Sequence, residues 1–416
     1  MDSIFIQIAA FRDPQLIPTI KDALDKADNP ERLVFGICRQ YNKEDGFDDL
    51  TPYKKDKRFR IIEVLDTESE GVCWARNKVQ SLYNGEKYTL QLDSHHRFEK
   101  GWDTMLVQWL LALQEKGHKK PLITAYITSF DPDNDPAGRD TAPYFMHFDR
   151  FTPEGIVFFK PGGIVDWENE QLPVPGRFYS AHFAFTLGQF CVEVPHDPEY
   201  YFHGEEISIS VRAFTHGYDI FHPHRLIAYH EYTRKGRVKQ WDVDKAWGVR
   251  NNMCHYRNRV LFGMEEGQID FGIYGFGNER TLKDYERYAG IEFKTRTVQQ
   301  YTIDSQYPPN PKYSSEQAWQ ESLIPVFTHC IDIAYKDVPE KDYEFWAIAI
   351  HDKEGNTLFR RDAQKDEIEN YFKDPDQYCK VWVNTQIPYN KADHWVVWPY
   401  SISKGWCNRL TAPLPR

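Results

Sequence analysis

The run Leu90-Gln91-Leu92-Asp93-Ser94-His95 ends an apolar, strand-like segment in a carboxylate and an imidazole two residues apart, which leave an extended backbone on the same side. One oxygen and one nitrogen donor suit a divalent ion of intermediate hardness, Mn²⁺ (or Mg²⁺), and leave coordination positions open for substrate oxygens. An Asp-x-His pair also arises among ordinary surface residues, so this reading needs further support. Three clusters add to it. Tyr201-Phe202-His203-Gly204-Glu205-Glu206 sets two acids at the start of a helix, where the helix dipole favours negative charge and a plain cap is the competing explanation. Later come His222-Pro223-His224 and then His230-Glu231; His230 ends an apolar strand as Asp93 does and can complete a metal site with Asp93 and His95, with His222 and His224 as rivals. Arg76, on the helix before the Asp93 strand, offers a cation for a carboxylate or a phosphate.

Several chemistries are excluded by pattern. The chain has no G-x-x-x-x-G-K-[ST], no H-E-x-x-H and no G-x-S-x-G, and the glycines of Gly272-Ile273-Tyr274-Gly275-Phe276-Gly277 are in the wrong order for a dinucleotide fingerprint.

The elements that must position these groups alternate. Strands are expected at 4–10, 33–39, 60–65 and 88–92, and helices at 14–27, 73–83 and 102–115, a βαβ rhythm that implies a largely parallel sheet covered by helices. Such sheets bind ligands at the carboxyl ends of their strands, so Ala10-Phe11-Arg12-Asp13 and Asp93-Ser94-His95 are the places to look. Residues 131–143 read as a surface loop, 178–187 as a strand, 205–215 as a helix, and 241–261 and 281–288 as helices. The prolines around Tyr307-Pro308-Pro309-Asn310-Pro311 suggest a linker, giving an α/β domain over 1–302, a linker over 303–315 and a small all-β, sandwich-like domain over 316–416.

Composition limits the class. With 416 residues, 41% hydrophobic and 27% charged, the chain is long enough for one large and one small domain and too apolar for general disorder. Its 51 basic against 62 acidic residues give a net charge of −11, which lacks the electrostatic footprint of a nucleic-acid binder. No apolar run approaches a membrane span, the start at Met1-Asp2-Ser3 does not read as a signal peptide, and seven scattered cysteines without a C-x-x-C pair suit a reducing compartment; the expectation is a cytoplasmic protein without a membrane anchor. Aromatic residues make up 15% of the chain, and core filling is their commoner use.

Taken in order, Ala9-Ala10-Phe11-Arg12-Asp13-Pro14, Asn29-Pro30-Glu31-Arg32, Trp74-Ala75-Arg76, Gly85-Glu86-Lys87-Tyr88, Gln91 to Phe98 and Gly277-Asn278-Glu279-Arg280-Thr281-Leu282 resemble the polypeptide α-N-acetylglucosaminyltransferase family, which includes the Skp1 hydroxyproline GlcNAc-transferase. The resemblance covers roughly residues 1 to 295. A weaker likeness, in Gly204-Glu205-Glu206 and Tyr229-His230, is to mucin-type polypeptide GalNAc-transferases. The resemblance implies a GT-A fold and a retaining, metal-dependent transferase moving GlcNAc from UDP-GlcNAc to a hydroxyl of a protein or polysaccharide acceptor. It makes Asp93, His95 and His230 the metal ligands. Ala10, Phe11, Arg12, Asp13, Arg76, Asp93, Ser94 and His182 become donor-binding residues, and Glu205 and Glu206 lie beside the reacting sugar as catalytic groups. Glu206 stands where the mucin-type pattern has Asn, which leaves the division of roles between the two acids open.

Two other functions fit parts of the pattern. His222, His224, His230 and Glu231 can be read as an all-protein metal centre of an oxygenase or hydrolase, and Trp382, Trp395, Trp398 and Trp406 as a carbohydrate-binding surface beside a degenerate transferase site. An oligomer is compatible with all of these.

Overall fold

The computed structural model describes residues 2–414. Its contacts separate two compact units. The first comprises the chain up to Phe148 with Phe159–Ala289 and Ser305–Pro311; the second comprises Asp149–Phe158, Gly290–Asp304 and the chain from Lys312 onward.

The first unit is built on an eight-stranded sheet. Its strands are β1 (Ile4–Phe11), β2 (Leu33–Tyr41), β3 (Phe59–Leu65), β4 (Tyr88–Asp93), β6 (Lys120–Thr124), β7 (Val174–Pro175), β8 (Phe183–Leu187) and β9 (Tyr218–His222), in the order β3-β2-β1-β4-β8-β6-β9-β7. A separate two-stranded ribbon pairs β5 (His96–Phe98) with β10 (Ala228–His230). β1 reads as a near-continuous apolar run because helices cover both of its faces. On α1 (Leu16–Lys26) the buried residues Leu16, Thr19, Ile20 and Ala23 recur at helical spacing, and on α3 (Trp102–Glu115) Trp102, Leu106, Leu110 and Leu113 form the stripe that meets the sheet. The remaining helices used below are α2 (Val72–Gln80), α4 (Glu205–Thr215) and α5 (Trp247–Leu261).

The sheet is mostly parallel, as expected, with β8 antiparallel between β4 and β6 and β7 antiparallel to β9. Two local expectations need correction. The strand expected from 178 begins only at Phe183, since the peptide N–H groups of Tyr179, Ser180 and Ala181 donate to the side chains of Ser210, Thr124 and Glu206 rather than to a neighbouring strand. The helix expected over 241–261 is divided into Gln240–Val243 and α5, at a turn where the Asp244 carboxylate accepts from the Ala246 N–H. Within the stretch read as a linker, residues 305–311 belong to the first unit: Arg177 donates to Gln306 O and to Asn310 Oδ1, both at 2.6 Å.

In the second unit, strands Phe327–Ala334 and Tyr378–Thr385 pair with each other, and Thr357–Gln364, Tyr343–His351, His394–Ser401, Gly405–Trp406 and Leu410–Pro413 form a five-stranded sheet. Both sheets contribute to one core, with Ile331 and Val381 from the first and Trp346, Ile348 and Val397 from the second. Among the described residues no helix is long and apolar enough to cross a membrane.

Gly71, just before α2, has φ +113° and ψ 174°, a region open only to glycine. A Cβ there would also lie 2.9 Å from the carbonyl oxygen of Tyr201. Gly71→Ala is therefore expected to cost about 1–3 kcal/mol from backbone strain before any clash is counted, read as a lower denaturation midpoint with an unchanged m-value.

Candidate active site

Register brings Asp93, His95 and His230 together. β1 and β4 are parallel neighbours with Ala9 opposite Asp93, so the turns after both strands open at the same sheet end. After Asp93 the chain turns directly into β5, and β10 pairs with it so that His230 lies opposite His96. That pairing, between residues 134 apart in sequence, is what carries His230 to Asp93. Its Nε2 lies 3.4 Å from Asp93 Oδ2, and His95 Nε2 lies 3.7 Å from the same oxygen. The ligand atoms of Asp93, His95 and His230 all fall within 4.8 Å of one another.

The donor set fits a divalent cation of intermediate hardness: one carboxylate and two imidazoles. Burial raises the Asp93 carboxyl, but the His230 hydrogen bond and Arg76 outweigh it and hold the group well below the usual carboxylate range. Burial, above all, keeps His230 neutral, with its lone pairs available. Outer contacts orient the ligands. His95 Nδ1 lies 2.7 Å from Asp13 Oδ2, and its Nε2 faces Asp93. The same Asp13 oxygen accepts from Ser94 at 2.7 Å and from Arg237 at 3.1 Å, and Arg237 Nη1 also approaches His95 Nδ1 to 2.5 Å. Burial pushes the Asp13 carboxyl up, but His95 and Arg237 bring it down to about 2. The His230 ring is held by stacking, 4.3 Å from His182, which in turn stacks on Tyr126 at 5.4 Å.

Of the two partners its helix position offered, a carboxylate or a phosphate, Arg76 is engaged by carboxylates. It is 6% exposed, and its guanidinium spans two carboxylates: Nη2 donates to Asp93 Oδ1 at 2.7 Å, and Nη1 reaches both oxygens of Glu205 at 2.7 and 2.8 Å. Glu205 also lies 2.7 Å from His196 Nδ1, and Cys73 is beside it. Burial alone would raise Glu205; Arg76 and His196 instead bring it to about 2. Cys73, His196 and Glu205 have the residue types of a second metal group, but burial holds the thiol protonated, a guanidinium already occupies the carboxylate, and Gln91 Oε1 lies 2.5 Å from His196 Nε2. The cluster is a prop behind Asp93.

Glu206, one residue on, faces elsewhere. It accepts from the Tyr126 hydroxyl at 2.8 Å and the Ala181 N–H at 3.0 Å, and burial pushes its carboxyl up to about 7. Adjacent acids on one helix are thus driven apart by their surroundings.

The cavity in front of the Asp93 group has a volume of about 190 Å³ and is lined by Ala9, Phe11, Asp13, Ser94, Tyr201, Phe202 and Tyr232, among others. Ala10 is buried in the core, because alternate residues of β1 face opposite sides. Arg12, at φ +45°, turns away to pair with Asp45 at 2.7 Å and Asp66 at 3.1 Å. His182 is packed behind His230. Neither Glu205 nor Glu206 lines the cavity. His222 Nδ1 lies 2.5 Å from Thr124 O, and the His224 ring packs on Trp109; among the described residues neither joins a group of three metal-capable side chains.

The opposite wall is the segment after β10, which contributes Arg234, Arg237, Lys239 and Trp241. This wall was not anticipated, although four cations in Arg234-Lys235-Gly236-Arg237-Val238-Lys239, immediately after His230, were a visible signal. The Arg237 guanidinium is fixed by Glu231 at 2.7 Å as well as by Asp13.

The chain matches the Glycosyltransferase (GlcNAc) family over residues 3–55 and 47–295. It belongs to that family. No curated protein matches it. Among solved structures, the chain is similar to GalNAc-T7, determined with UDP, GalNAc and Mn²⁺, at 12% identity and a TM-score of 0.50 over 98% of this chain and 68% of that one. It is also similar to S. aureus TarS, determined with UDP-GlcNAc, at 11% identity and a TM-score of 0.35 over 60% of this chain and 66% of that one. Full TarS gives 9% identity and 0.36 over 99% and 77%. The α/β unit of this GlcNAc glycosyltransferase family member has the GT-A fold, with small β-sheets added toward its C-terminus.

The raised Glu206 carboxyl predicts a pH effect on stability. Its ordinary value is 4.5, so between there and about 7 the folded protein keeps a proton that the unfolded chain has lost, and stability falls as pH rises through that window. In Glu206→Gln the amide can still accept from Ala181, and the Tyr126 hydroxyl can turn to accept from it. The variant should match the parent near pH 4.5 and gain on the order of 3 kcal/mol over it by pH 8, measured by denaturant unfolding across pH.

Proposed function

We propose that the protein is a metal-dependent transferase that moves GlcNAc from UDP-GlcNAc to a hydroxyl of a protein or glycan acceptor, with retention at the anomeric carbon. One observation carries the reading: Asp93, His95 and His230, from separate elements, converge as an O,N,N ligand set at the carboxyl end of a GT-A sheet. The family description supports the choice of sugar, and the Mn²⁺ and UDP of GalNAc-T7, a protein of the same fold, are consistent with the choice of ion and nucleotide.

A divalent cation held there supplies Lewis-acid stabilisation of the charge that develops on a departing diphosphate. The chain's own residues do the rest. Arg76 is a positioning residue: it fixes Asp93 Oδ1 and leaves Oδ2 for the ion. Arg234 and Lys239 set cations along the opposite wall, which answers locally the repulsion that a net charge of −11 would otherwise present to a nucleotide diphosphate, while Arg237 is held by Asp13 and Glu231. Phe11, Tyr201 and Phe202 give the cavity planar apolar walls suited to base and sugar rings. In the transfer, the bond from the anomeric carbon to the β-phosphate oxygen breaks, the bond to the acceptor oxygen forms, and the acceptor proton passes to the departing phosphate oxygen. Among the described lining residues the only carboxylates are Asp13 and Asp93, and both are engaged by cations. No carboxylate is therefore left to attack the anomeric carbon, which argues against a covalent glycosyl-enzyme intermediate; retention, which the family resemblance implies, then requires the acceptor to enter on the leaving-group side.

Incubation with a panel of UDP-sugars and Mn²⁺ should release UDP slowly from UDP-GlcNAc above the other donors. Release should be abolished in Asp93→Ala and by chelation; unchanged release in that variant would remove the metal assignment. Asp13→Ala should weaken Mn²⁺ binding about 10–100-fold by calorimetry, the loss typical of an outer partner of a ligating histidine.

A further inference from the structure

The five-stranded sheet of the second unit carries an outward face that the transferase reading does not use. Directly paired residues share a face, and the register sets Phe345, Ala347 and Ala349 beside Tyr400, Trp398 and Val396 on one flank and beside Gln364, Asp362 and Arg360 on the other. Trp406 pairs with Tyr400 and extends the aromatic flank. The opposite face of the same strands, with Trp346, Ile348, Ile350 and Val397, fills the core, so the tryptophans at 398 and 406 are not core residues.

The outward face is a trough. Its floor is two alanines, only 8% and 7% exposed, between taller rows, and the rows lie about 10 Å apart, two strand spacings. The aromatic wall is rigid. Trp398 Nε1 donates to Cys407 O at 2.9 Å, its ring lies 4.5 Å from Trp406 at 40°, and Phe345 and Tyr400 buttress Trp406 edge-on at 5.4 Å each. Even so, Trp398 and Trp406 remain 38% and 45% exposed, large for indoles in fixed orientations.

The facing wall decides the occupant. Arg360 offers donors, Asp362 an acceptor and Gln364 both; the arginine and aspartate are 58% and 41% exposed and only 3.6 Å apart at their nearest atoms. Such a mixed border, on the outermost strand of the sheet, carries no net charge and gives no advantage to a polyanion. A neutral polyhydroxylated ring is complementary to both walls: its C–H face stacks on an indole, and its hydroxyls donate to a carboxylate and accept from a guanidinium.

We propose that this trough is a saccharide-binding site, in which pyranose rings stack on Trp398 and Trp406 and are read by Arg360, Asp362 and Gln364. The site is independent of the donor cavity and does not rest on the transferase reading. The test is tryptophan fluorescence and calorimetric titration of the full chain with cello-, chito-, malto- and mannotetraose, carried out also on Asp93→Ala so that binding at the transferase site is separated. At least one series should bind equally to the parent and to Asp93→Ala, about tenfold or more weakly to Trp398→Ala/Trp406→Ala, and more weakly to Arg360→Ala/Asp362→Ala, whose exposed positions spare the core. UDP release should be unaltered in both double variants. Absence of binding in all four series, or equal binding by the parent and both double variants, overturns the proposal. So does self-association of the parent in sedimentation that the tryptophan variant abolishes, which would make the face a contact between copies.

Discussion

A single buried guanidinium organises the catalytic end of the molecule. Arg76 comes from α2, Asp93 from the end of β4 and Glu205 from the start of α4, and the three meet within hydrogen-bond distance in a place with little access to water. Leaving any one of these charges alone there would be costly, because a buried charge needs a partner and good geometry to offset its desolvation. The clamp thereby ties the helix, the strand end and the second helix to one another. Asp93 reaches the cavity already ionised and aimed, and Cys73, His196 and Gln91 fill the space behind.

Around that clamp the site is arranged in two walls of different character. One is rigid and belongs to the sheet: β1 and β4 end side by side, and the ribbon of β5 and β10 adds His230. The other is a cationic segment tied down by Asp13 and Glu231 through Arg237. The overall charge is strongly negative, yet Arg234, Arg237 and Lys239 line this cavity. Local geometry, not net charge, sets what such a cavity attracts.

Much of this was legible in the chain. The period of apolar residues gave the strands and helices of the first unit nearly to their ends, because central parallel strands and their covering helices carry the strongest hydrophobic patterns. Asp93 and His95 stand out because they end such a strand. The antiparallel β8 was harder to read, since side-chain oxygens from α4 and β6 intercept the peptide groups before it. The cationic wall was visible in composition, but composition does not say which way a loop folds. The exposed tryptophans of the second unit show the same limit: alternation identifies two faces of a strand, and only the pairing of five strands shows which face is covered.

By itself, then, the sequence determined the α/β and all-β parts, the strand-end position of Asp93 and His95, and the presence of two acids at the start of a helix. Those are local properties, set by side-chain period and backbone preference. Only the tertiary structure brought His230, and not His222 or His224, beside Asp93, through the register of β10 on β5. It also buried Arg76 between two carboxylates, and shifted the Glu205 and Glu206 carboxyls in opposite directions. The reason is that burial and partner charges fix a group's protonation and direction, and both come from other elements of the fold: Arg76 and Glu205 are 129 positions apart, and Asp93 and His230 are 137 apart.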